Sequence, residues 1–147
     1  MVHALEQIHD LLKPGGHLID IHPTGEPVEF VRLLKEQEHL FGCLQETDDY
    51  IEYRQADEAL ETTVTRGLFK VEKLGEFGFR TYADSFDSLK TFLDENWSDA
   101  VIPEAVITEA RKLDAEHGKR TVFLREQTRI TVLKKYEVII TDWRSQP

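Results

Sequence analysis

Five residues near the amino terminus, Leu12-Lys13-Pro14-Gly15-Gly16, constrain this chain more than any other stretch. Upstream, Leu5, Ile8 and Leu12, with Ala4 and Leu11 beside them, recur at the three- and four-residue steps that line one helix face, which predicts a helix from Val2 to Leu12. Pro14 biases Lys13 away from helical dihedrals, and Gly15-Gly16 supplies the positive φ that a reversal needs. Downstream, His17-Leu-Ile-Asp-Ile-His22 sends aliphatic side chains to both faces through Leu18, Ile19 and Ile21, the pattern of a short, mostly buried strand. Helix, tight turn and buried strand in this order make half of a parallel βαβ unit and point to an α/β (or α+β) fold.

Beyond this start the chain alternates helix and strand signals. Pro27 to His39 reads either as a helix opened by proline or as part of a hairpin pairing Val28–Leu33 with Leu40–Leu44; Gly42 favours the hairpin. Asp48 or Asp49 can cap a helix with its apolar stripe at Tyr53, Ala56, Leu60 and Val64, ending near Gly67. Leu68 to Leu74 and Glu76 to Tyr82 read as two strands joined at Gly75, and the segment Gly75–Gly78 as the bend between them. Ser85 opens a helix with Phe86, Leu89, Phe92, Leu93 and Trp97 on one face. Pro103 starts another, with its stripe at Val106, Ile107, Ala110 and Leu113, which Gly118 ends. Thr121 to Arg125 and the β-branched run Arg129 to Leu133, joined by a short polar turn, are expected to form an antiparallel pair whose second strand continues through a bend into Tyr136 to Thr141.

The 147 residues fit a single domain, 1–147, with no linker, large enough to bury roughly 70% of the surface its unfolded chain exposes. A formal charge of −10 opposes docking on nucleic acid or on an anionic membrane. No apolar run reaches membrane-spanning length and no secretion-signal pattern is present, so a cytoplasmic address is expected. Cys43 is the only cysteine, which excludes an intrachain disulfide and a four-cysteine zinc site, and it reads as a small buried hydrophobe. The six histidines include no pair at metal-ligand spacing on a helix, so no metal site is expected.

The run Ala4-Leu-Glu-Gln-Ile-His-Asp-Leu-Leu-Lys-Pro-Gly-Gly-His-Leu-Ile-Asp-Ile21 resembles the segment of class I S-adenosylmethionine-dependent methyltransferases that leads into their fifth sheet strand. The resemblance covers about twenty residues, and the terminal strand pair is similar to that family's closing antiparallel hairpin in general form. It implies a partial Rossmann-like methyltransferase sheet with a closing hairpin and helical insertions. It also implies that the chain corresponds to the carboxyl-terminal half of such a fold, truncated before residue 4. The glycine-rich loop that would hold the cofactor is absent, and Gly75–Gly78 has the wrong spacing to replace it. No cofactor is therefore expected for the isolated chain, and S-adenosylmethionine only where a missing half or partner supplies its site.

In the complete fold, ligands sit beyond the carboxyl ends of the parallel strands, which here means Asp20-Ile-His22 and the loop Pro23-Thr-Gly-Glu26. Asp20 and His22, two apart on a strand, share a face and are the candidate acid–base pair; His22 and Thr24 are the candidate substrate contacts. Their alternative reading is an orienting carboxylate and a solvated strand end. Removing the first half of such a fold leaves one edge of an apolar strand without a neighbour, so a homodimer or a complex with a cofactor-binding polypeptide is expected. The apolar run Val138-Ile-Ile140 with Trp143 is a further candidate contact.

Overall fold

The chain opens with α1 (Val2–Leu11), which reaches the next strand through a turn that explains the motif. The Gly16 N–H donates to the Lys13 carbonyl at 2.9 Å, Pro14 occupies the second position, and Gly15 sits at φ 69°. This is the type II geometry, which favours proline and then glycine. A Cβ on Gly16 would stand 2.8 Å from the Lys13 carbonyl oxygen, so the second glycine is a steric requirement.

The computed structural model describes residues 1–47 and 50–136. After α1 come β1 (His17–Pro23), β2 (Glu29–Leu34), β3 (Gln37–Cys43), β4 (Gln45–Glu46), α2 (Ile51–Thr65), β5 (Phe69–Ala83), α3 (Phe86–Asn96), β6 (Ala100–Val101), α4 (Glu104–His117) and β7 (Val122–Lys135). The fold is a mixed α/β one with antiparallel strand pairing among the described residues, and two interleaved compact units make it up. The first holds Met1–Ile21, Gln55–Gly75 and the chain from Ile130; the second holds His22–Arg54 and Glu76–Arg129.

In the first unit β7 lies between β1 and β5. The Lys135 N–H donates to the Gly16 carbonyl and the Thr24 N–H to the Gln127 carbonyl, both at 2.8 Å, so β1 and β7 run antiparallel. That register sets Leu18 opposite Leu133, Ile19 opposite Val132 and Ile21 opposite Ile130. Leu18 and Leu133 face a core shared with Leu60 and Val64 of α2, Leu5 of α1, and Phe69. Lys135 fixes the end of α1 by donating through Nζ to the His9 and Leu12 carbonyls at 2.8 and 2.9 Å, a cation on orphaned helix-end acceptors.

The second unit packs α3 and α4 against one face of a sheet in which β2 is flanked by β3 and β7. β2 meets β3 antiparallel from Glu29↔Cys43 to Leu34↔Gln37, and meets β7 from Glu29↔Arg125 to Arg32↔Val122. Phe30, Leu44, Leu89, Leu93, Val122 and Leu124 form its core. Ser85 caps α3 by accepting from the Ser88 N–H at 3.2 Å, and Gly118 ends α4 at φ 71°. The hairpin reading of residues 27–45 therefore holds, as do the helices at Ser85 and Pro103.

Four sequence expectations are corrected. β1 is not buried: Ile19 and Ile21 are 59% and 57% exposed, because the sheet face opposite the helices carries no covering layer at these residues. Its pairing is antiparallel, where a parallel βαβ unit was expected. Gly75–Gly78 makes no bend; β5 runs straight through, and neither glycine has a positive φ. A Cβ on Gly75 would lie 3.5 Å from Ile130 and one on Gly78 3.4 Å from Arg125, ordinary contacts, so neither glycine is required by a turn or by a close approach. The polar run Glu126-Gln-Thr128 is likewise continuous strand within β7. The proposed caps Asp48 and Asp49, the strand after Tyr136, and the apolar run with Trp143 lie outside the described residues.

Candidate functional site

β1 is the element on which the sequence expectations converge, and its two faces differ. Leu18 and Asp20 share the side turned toward the helices of the first unit by strand alternation, while His17, Ile19 and Ile21 share the other. That outer side is an apolar strip: Ile19 and Ile21 lie beside Val132 and Ile130 of β7. At its end the His17 Nε2 meets the Glu72 carboxylate of β5 at 2.8 Å, a polar border to the strip. β1 pairs with β7 alone, so its outer edge has no neighbouring strand among the described residues.

Asp20, His22 and Thr24 are placed by β1 and the loop that follows it. Asp20 and His22 are half-buried and each is engaged by other groups. The Thr24 hydroxyl accepts from the Glu26 N–H at 3.4 Å, a local turn contact. None of the three lines the two cavities next to the loop that follows β1.

Those cavities belong to the second unit and adjoin at Pro27. One, of about 260 Å³, is bounded by Glu26, Pro27, Glu29, Arg125 and Gln127. The other, of about 390 Å³, is bounded by Pro27, Cys43, Leu44, Gln45, Glu46 and Tyr50. Arg125 is committed: its Nε meets Glu29 at 2.6 Å and its Nη1 meets Glu38 at 2.7 Å, and Glu38 also meets Arg80 at 2.9 Å. With that cation matched, the first cavity presents chiefly hydrogen-bond acceptors. Burial, with a smaller contribution from Glu29, pushes the Cys43 thiol up, which keeps it protonated and inert rather than nucleophilic. Burial and the neighbouring Glu46 raise the Tyr53 phenol, and burial raises the Glu126 carboxyl.

Sequence reading missed the Arg125 network because its members are 96 and 87 residues apart and no local spacing joins them. Among the described residues no group of three or more His, Cys, Asp or Glu side chains is arranged to hold a metal, and no helix is long and apolar enough to cross a membrane. No family model, curated protein or solved structure matches this chain.

Proposed function

We propose that this chain is a methyltransferase-like module that does not catalyse on its own and acts by associating, through β1, with a second copy or with a cofactor-binding polypeptide. The observation that carries this reading is the outer edge of β1, which pairs with no strand among the described residues, beside exposed Ile19 and Ile21. A strand that holds three aliphatic residues yet buries none fully is one whose usual cover is supplied from elsewhere. Kinship with the carboxyl-terminal half of class I S-adenosylmethionine-dependent methyltransferases is supported by the helix–Leu-Lys-Pro-Gly-Gly–strand order. It is supported further by β1 lying next to the antiparallel β5–β7 pair, where the closing hairpin of that family is expected. A cytoplasmic setting accords with the single unpaired thiol.

The second reading is the end, or one subunit, of an S-adenosylmethionine-dependent methyltransferase acting on a small molecule. The acceptor-rich cavity at Glu26, Glu29 and Gln127, beside the loop after β1, favours it as a place for a small acceptor. Asp20 and His22 as acid and base, and His22 with Thr24 as substrate contacts, belong to this reading by their position on β1 and its loop alone. Calorimetry of S-adenosylmethionine into the isolated chain separates the two. No measurable heat is expected, and micromolar binding refutes the non-catalytic reading.

A further inference from the structure

The register of β1 determines which backbone groups it offers to a partner. The bonds at Gly16 and Thr24 show that even-numbered residues turn their N–H and C=O groups toward β7. The odd-numbered residues therefore turn theirs outward: the edge, which no other strand covers among the described residues, offers the N–H groups of His17, Ile19 and Ile21. Pro23, the next outward position, has no N–H and ends the row.

We propose that the occupant of this edge is a second copy of the chain, docked β1 against β1 antiparallel with the two-fold axis at Ile19. The inference sharpens the self-association named above and needs neither the methyl donor nor the kinship. With the axis there, Ile19 faces Ile19 of the second copy and His17 faces its Ile21. All three outward donors of each copy are then satisfied, in six hydrogen bonds that stop short of Pro23. An axis at Asp20 makes as many bonds only by drawing on the Pro23 carbonyls at the very end of β1. An axis at Ile21 puts Pro23 opposite Ile19 and loses bonds. The Ile19 register instead sets Asp20 opposite Leu18 of the second copy.

The sheet faces argue the same way. The strip of Ile19, Ile21, Ile130 and Val132 continues across the axis into the matching strip of the second copy, making one apolar surface from two. The contact is isologous, closes at two copies and leaves no new edge. One short strand pair buries less than the roughly 800 Å² per partner of a standard interface, so the dimer depends on concentration. Both copies are acidic, so added salt strengthens it.

Cysteine crosslinking reads the register directly. In a Cys43→Ser background, which removes the only native thiol, Ile19→Cys places two sulfurs across the axis, where facing Cα atoms stand about 5.5 Å apart. Mild oxidation is expected to give a disulfide-linked dimer. Ile21→Cys puts its two sulfurs four residues apart, about 13 Å, and is expected to crosslink at least roughly tenfold more slowly. A mixture of His17→Cys and Ile21→Cys chains restores crosslinking. Sedimentation of the unmodified chain is expected to show a monomer–dimer equilibrium that Ile19→Lys abolishes. Crosslinking at Ile21→Cys as fast as at Ile19→Cys overturns the register while leaving self-association standing. A monomer at every concentration removes both, and the calorimetric test of the methyltransferase reading remains separate.

Discussion

Arg32 of β2 has no exposed surface, and its Nη2 stands 2.8 Å from Oδ1 of Asp114 on α4. The approach is close but poorly aligned: none of its three guanidinium nitrogens has a hydrogen-bond partner. Phe41 lies 5.9 Å from the guanidinium carbon, an aromatic neighbour that accepts no aligned bond. Desolvating a guanidinium is expensive, and a single misaligned carboxylate offsets only part of that cost. Asp114→Asn leaves the cation buried without its counter-charge, which costs about 3–5 kcal/mol. The Asp114 side chain keeps 23% exposure, so water reaches the site and the lower end, about 3 kcal/mol, is expected. At about 2–4 °C per kcal/mol for a chain of this size, the melting midpoint falls by roughly 6–12 °C. Arg32→Met keeps the volume, removes the orphaned donors and is expected to be neutral or stabilising, by up to about 4 kcal/mol. Urea unfolding of the parent, both single variants and the double variant measures all of this in one cycle. If Arg32→Met proves as destabilising as Asp114→Asn, the pair is net favourable and the reasoning fails.

Lys35 and Glu36 form the two-residue turn between β2 and β3 at φ 49° and 67°, a type I′ arrangement that favours Asn-Gly; replacing both with Asn-Gly should stabilise by on the order of 1 kcal/mol in urea unfolding. A Cβ on Gly42 would collide with Cγ2 of Val106, so Gly42→Ala should cost about 1–3 kcal/mol, with a smaller penalty when Val106→Ala is added than the two single changes sum to. Burial raises the Glu126 carboxyl, so the folded chain binds that proton more tightly than the unfolded one, and this contribution weakens folding as pH rises above the ordinary carboxylate range. Glu126→Gln should accordingly raise the melting midpoint at pH 7 and change it little at pH 4; the opposite ordering rejects the assignment. Gly15→Ala, at φ 69°, should cost on the order of 1 kcal/mol and loosen the α1–β1 join, read as faster hydrogen exchange at Leu18.

The parts of this fold that sequence reveals are those set by a few adjacent residues. Pro14-Gly15-Gly16, the Ser85 cap and the Pro103 to Gly118 bracket each act within one turn of chain, and each stands where expected. The hairpin at residues 27–45 was ambiguous because Leu33-Leu-Lys-Glu-Gln-Glu38 combines helix formers with a turn that lacks the usual Asn or Gly. Gly75, Gly78 and the polar run at Glu126 look like turns in the sequence, yet β5 and β7 run through them. Their use is decided by the strand alongside, with side chains more than fifty and forty residues away. The exposure of Ile19 and Ile21 was equally illegible, since apolarity shows what a residue prefers and not whether anything covers it. The Asp20, His22 and Thr24 expectation came from position on a strand end, whereas the charged network at Arg125 depends on contacts between β2, β3 and β7.

The interleaving of the two units sets the order in which the chain can acquire them. His22–Arg54 and Glu76–Arg129 are both complete by Arg129, but the first unit still lacks the portion of β7 that carries Leu133. As the polypeptide leaves the ribosome, α1 and β1 must wait, with Leu5 and Leu18 uncovered, until more than a hundred residues have followed them. A ribosome-bound chain ending before Leu133 should therefore protect the second unit from protease while leaving the amino-terminal helix open to cleavage.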